Sequence, residues 1–115
     1  MKNLKTALLS FALLIFCSTM AQAQTSKTAT AKFKVYGNCE TCKKRIEKVT
    51  KSMTGVESGV WDVNTKIFTL KYDPAKVQPK DVEAKIAQAG HDNELHMADQ
   101  KTYKSLPECC QYKRK

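Results

Sequence analysis

Cys39-Glu40-Thr41-Cys42 stands at a change of period. Before it, Phe33-Lys34-Val35-Tyr36 alternates apolar and polar; from Lys43 onward apolar residues recur at helical spacing. A strand that passes into a helix through such a pair has few ways to fold. The loop between them holds unpaired backbone N–H groups at the positive end of the helix dipole, where thiols ionise more readily. With two residues between them, both sulfurs can face one point from the first helical turn, which suits a thiophilic ion such as Cu(I), Zn(II) or Hg(II). The same spacing also serves thiol–disulfide exchange and half of many structural zinc sites, so the rest of the chain has to decide.

The pattern on either side predicts six elements in the order β-α-β-β-α-β. Residues 32–36 form a half-buried strand with Phe33 and Val35 on its inner face, stopped by Gly37-Asn38. An amphipathic helix over 41–53 follows, with Cys42, Ile46, Val49 and Met53 inside and Lys43, Lys44, Arg45, Lys48 and Lys51 outside; Thr54-Gly55 ends it. Val60-Trp61-Asp62-Val63 and Ile67-Phe68-Thr69-Leu70-Lys71-Tyr72 pair across a turn at Asn64-Thr65-Lys66. Pro79-Lys80-Asp81 opens a second helix with Val82, Ile86 and Ala89 inside and Gly90 at its end. Residues 91–97 are expected to be a weak edge strand. The fold class is therefore α+β, a ferredoxin-like sandwich with a four-stranded antiparallel sheet and two helices on one face.

The opening residues read as an export signal over 1–23: Lys2 and Lys5, an apolar run from Ala7 to Phe16, and Ala21-Gln22-Ala23 as a small-x-small cleavage site. That run is shorter than the ~20 residues a bilayer span needs, so no membrane span is expected after cleavage. Residues 24–31 read as a flexible lead-in, 32–97 as the domain, and 98–115 as a basic tail containing cysteines. Cys17 leaves with the signal, and four cysteines stay. Outside the cytoplasm an even count normally suggests disulfides, but Cys39 with Cys42 and Cys109 with Cys110 are near neighbours whose bridges would close tiny loops and restrain little. The net charge of +9 falls to +7 without Lys2 and Lys5. Lysines spread over the whole chain, with the few aromatics in core positions, argue against nucleic-acid binding and for an acidic protein partner or the outer leaflet of the inner membrane.

This order of elements, with Cys-x-x-Cys after the first strand, resembles the heavy-metal-associated domain family, which includes small copper chaperones, a periplasmic mercury-binding protein and the amino-terminal domains of copper-transporting ATPases. Gly55-Val56, Tyr72-Asp73-Pro74 and Ile86-Ala87-Gln88-Ala89-Gly90 also match the family pattern. Family members carry Gly-Met-x-Cys-x-x-Cys, whereas this chain has Tyr36-Gly37-Asn38-Cys39-Glu40-Thr41-Cys42, with glycine in place of the methionine that packs beneath the loop. The resemblance implies metal ligation by Cys39 and Cys42. It places His91, which follows the last glycine of the second helix, beside the loop as a third ligand or a hydrogen-bond donor to one. His96 and Met97 carry donors at the far end of the last strand.

The tail departs from the family. Residues 98–108 can extend roughly 35 Å, against about 20 Å for a six-residue strand, so Cys109 and Cys110 can return to the loop. The expected metal set is thus Cys39, Cys42, His91, Cys109 and Cys110. The function these features imply is a periplasmic Cu(I) chaperone or scavenger, monomeric or weakly dimeric, that passes its ion by thiolate exchange to an acidic transport or acceptor protein. No covalent turnover is needed, so no enzyme is expected. Mercury or zinc capture by the same ligands is the alternative, and a thiol–disulfide oxidoreductase is the competitor from another class.

Overall fold

The computed structural model describes residues 27–114; the expected export signal and the first residues of the lead-in lie outside them. Strand β1 (Ala29–Lys34) leads into helix α1 (Glu40–Lys51), strands β2 (Val56–Trp61) and β3 (Ile67–Tyr72), and helix α2 (Pro79–Gln88). A short helix α3 (Gln100–Lys104) and a 3-10 turn (Glu108–Cys110) complete the chain. Among the described residues the strands form one antiparallel sheet in the order β1-β3-β2.

β3 is the centre of the sheet because it buries most. Phe68 and Leu70 are fully buried on its inner face, and Phe33 of β1 stacks on Phe68 with ring centroids 5.2 Å apart. β1 starts at Ala29, inside the expected lead-in, because Ala29, Thr30 and Ala31 pair with Tyr72, Lys71 and Leu70. Small residues without alternation give no local sign of that pairing. β2 ends at Trp61, two residues before the expected end, because the Asp62 carboxylate accepts from the N–H groups of Asn64 and Thr65 at 2.8 Å and starts the turn there.

α1 buries Cys42, Ile46 and Thr50 against the sheet; Val49 sits on the flank, half exposed. Thr50 is tolerated in the core because its hydroxyl donates to the Glu47 carbonyl at 3.0 Å. α2 starts at Pro79 as expected, with the Gln78 N–H donating to the Asp81 carboxylate at 3.1 Å, and buries Val82 and Ile86. Gly90 follows with φ 109°, a conformation that closes the helix and that other residues rarely adopt.

The expected fourth strand over 91–97 is corrected to a single antiparallel bridge between Val35 and Asn93. Side chains take the place of a ladder here. Asn93 Oδ1 accepts from the N–H of Leu95 at 3.2 Å and of His96 at 3.0 Å, Asn93 Nδ2 donates to the Glu83 carbonyl at 2.7 Å, and Asp92 accepts from the Ala98 N–H at 2.7 Å. A backbone curled around two such side chains cannot stay extended. The tail beyond it folds onto the domain, with Leu106, Cys110 and Tyr112 buried in the core.

Candidate metal centre

Cys39 occupies the N-cap of α1 in extended backbone, and its carbonyl accepts from the Lys43 N–H at 3.1 Å, the first bond of the helix. Cys42 lies one turn on and is fully buried, while Cys39 is half exposed. Their sulfurs are 3.5 Å apart, unbridged, and the Asn38 N–H donates to Cys42 Sγ at 3.3 Å. Burial acts to push the Cys39 thiol up, but hydrogen bonds from the backbone of Cys42 and Thr41 and from the Cys42 side chain outweigh it. Together they lower Cys39 from 9.0 to about 7. A thiol lowered in this way reaches the thiolate, the form that binds metal, more readily than a free cysteine.

The tail brings a third sulfur. Sγ of Cys39, Cys42 and Cys110 all lie within 4.8 Å of one another, the one group of three or more such donors among the described residues. Cys109 does not join it. Its side chain is exposed and its sulfur lies 3.9 Å from that of Cys110, while its carbonyl accepts from Cys39 Sγ at 3.3 Å when that thiol is protonated. A 3-10 turn rotates successive side chains by about 120°, so adjacent cysteines cannot both face inward. Burial pushes the Cys110 thiol up, and its neighbours Cys42, Cys109 and Cys39 push it further.

Cys110 is held in place from both sides. Tyr112 Oη donates to the Gly90 carbonyl at 2.9 Å and accepts from the Asp92 N–H at 2.7 Å. Arg114 grips Asp92 through Nε at 2.9 Å and Nη2 at 2.8 Å, and Nη1 reaches Gln100 at 2.8 Å. Upstream, Leu106 packs against Gly90 so closely that a Cβ there would come within 2.9 Å of it.

His91, expected as a third ligand or a hydrogen-bond donor to one, is fully buried. It lies outside the sulfur group, its Nδ1 sits 2.9 Å from the Tyr36 carbonyl, and Tyr112 stacks on it at 5.5 Å. Burial keeps the imidazole neutral, holding it below its ordinary value. His96 and Met97 are exposed and border a shallow groove with Asp99 and Thr102, away from the sulfurs. Lys43 pairs with Glu47 at 2.6 Å and donates to the Trp61 carbonyl at 2.8 Å.

Trp61 answers the missing methionine. Its indole is fully buried under the loop, donates from Nε1 to the Val35 carbonyl at 3.0 Å, and would meet a Cβ at position 37 at 2.9 Å. Gly37 is therefore the residue that lets the loop settle onto an indole. Trp61 as a loop support, and Cys110 rather than Cys109 as the inward thiol, were not legible in the motif itself.

A thiol pair at a strand-to-helix loop, on a sheet covered by two helices, is the arrangement of a metal-binding domain. The chain belongs to the heavy-metal-associated domain family, whose pattern matches residues 33–92. Within that family Cys39 and Cys42 are the metal-binding pair. It is 27% identical over 82 residues to the copper-transporting ATPase RAN1 of Arabidopsis thaliana, a match that takes in 70% of this chain and spans only 8% of the ATPase. Its fold is similar to that of the CopZ metallochaperone, with 24% identity and a TM-score of 0.56 over 57% of this chain and 100% of that one. The N-terminal soluble domains of Bacillus subtilis CopA share 31% identity and a TM-score of 0.55, covering 58% of this chain and 46% of theirs. Among the described residues no helix is long and apolar enough to cross a membrane.

Proposed function

We propose that this chain is an exported Cu(I) carrier that binds its ion through Cys39 and Cys42 and hands it on by thiolate exchange, without catalytic turnover. The observation that carries this is a half-exposed thiol lowered to about 7 beside a fully buried partner thiol 3.5 Å away. A soft donor pair of that kind favours Cu(I) over harder ions. The copper-transporting relative, matched over most of this chain, supports copper as the cargo. Each thiol that coordinates releases its proton to water. An acceptor thiolate approaches from the half-exposed Cys39 side, forms a bridged centre, and the ion leaves with whichever protein holds it more tightly. Exposed Lys44 and Lys48 on α1 would steer an acidic acceptor toward that side, and Lys43, held by Glu47, takes no part.

Anaerobic titration with Cu(I) against a competing chelator tests this. The reduced chain is expected to retain Cu(I) stoichiometrically, and the doubly substituted chain, Cys39→Ser with Cys42→Ser, to lose it. Equal retention by both would refute the assignment. Insulin reduction that depends on Cys39 would favour the thiol–disulfide oxidoreductase instead. Mass measurement of the chain recovered from the periplasm tests export, with Gln24 expected at its start.

A further inference from the structure

We infer that Cys110 is a third thiolate ligand, supplied by the chain itself, and that the tail closes the centre by filling the coordination place an acceptor thiolate must take. The inference rests on the carrier role proposed above and deepens it.

The geometry favours three sulfurs over two. With metal–sulfur bonds of about 2.3 Å, a linear two-sulfur centre needs its sulfurs about 4.6 Å apart, and a trigonal one needs about 4.0 Å. Cys39 and Cys42 stand 3.5 Å apart, so the trigonal arrangement asks for the smaller movement. Cys110 Sγ already lies within 4.8 Å of both. Its position is imposed by contacts that involve no sulfur: Tyr112 bridging Gly90 and Asp92, Arg114 on Asp92, and Leu106 against Gly90. The third donor is therefore in place before any ion arrives, and little ordering remains to be done on binding.

The chemistry follows from that placement. Loading Cu(I) displaces the remaining thiol protons of Cys39, Cys42 and Cys110 to solvent and leaves a three-thiolate centre of net charge −2. Transfer then requires Cys110 to leave before, or as, an acceptor thiolate enters. Cys109 points outward and takes no part in this centre.

Copper K-edge X-ray absorption on the full chain, reduced and loaded with one equivalent of Cu(I), tests the inference. Three sulfur neighbours are expected for the native chain and for Cys109→Ser, and two for Cys110→Ser, which should also give up its copper faster to a chelator. Two sulfurs in the native chain, or an unchanged count in Cys110→Ser, would overturn the tail ligand while leaving Cys39 and Cys42 as carriers. Failure of the fully reduced native chain to take up Cu(I) would overturn both the carrier role and this extension.

Discussion

The two cysteine pairs of this chain are close neighbours in sequence, yet only one of them acts as a pair. Cys39 and Cys42 are three residues apart at the start of α1, so one helical turn aims both sulfurs at one point. Cys109 and Cys110 are adjacent on a 3-10 turn, which turns one sulfur inward and the other to solvent. Backbone geometry, more than the number of thiols, decides how many sulfurs a site receives. The supports differ as well: a buried indole underlies the first pair, whereas the second is held by polar contacts to the loop after α2.

Removing each support should separate the two regions. Trp61→Ala takes away the fully buried indole beneath Gly37 and should cost about 3–5 kcal/mol in urea denaturation, loosening the loop more than the tail. Tyr112→Phe leaves the Asp92 N–H and the Gly90 carbonyl without their shared partner, and should cost about 1–3 kcal/mol. Its more telling effect is selective: alkylation of Cys110 should accelerate while that of Cys39 stays the same, as read by mass spectrometry. Gly37→Ala presses a methyl on the indole and should cost about 1–3 kcal/mol, with the loss shifting the environment of Cys42 rather than that of the tail.

The smallest effect is on pH dependence. Cys39 is lowered from 9.0 to about 7 in the folded chain, so the folded state binds fewer protons than the unfolded state between those values. Its contribution to stability is complete above pH 9.0, falls as the pH is lowered, and is gone once the pH drops below about 7. Alkylation of Cys39 should rise with a midpoint near pH 7, and buried Cys110 should lag behind it throughout.

Local signals were readable where the physics is local. The helical spacing of Cys42 and Ile46, the alternation of β3, Pro79 at the start of α2 and Gly90 after it all appear in the structure as the residues imply. Partners distant in sequence were not readable. The expected fourth strand gave way because Asp92 and Asn93 occupy its backbone from their side chains. The stacking of Tyr112, which arrives from the tail, on His91 is one such distant contact. The tail's length allowed its return, but only the contacts of Tyr112, Arg114 and Leu106 select Cys110 over Cys109.

Amide NMR of the nitrogen-15-labelled chain during stepwise addition of Cu(I), a closed-shell ion that leaves the spectrum sharp, tests most directly whether helix start and tail share one centre. The expected result is a single set of shifts that grow together at residues 37–43 and 108–112 and are complete at one equivalent. Shifts confined to 37–43, or tail signals that move only after the first equivalent is bound, would contradict it.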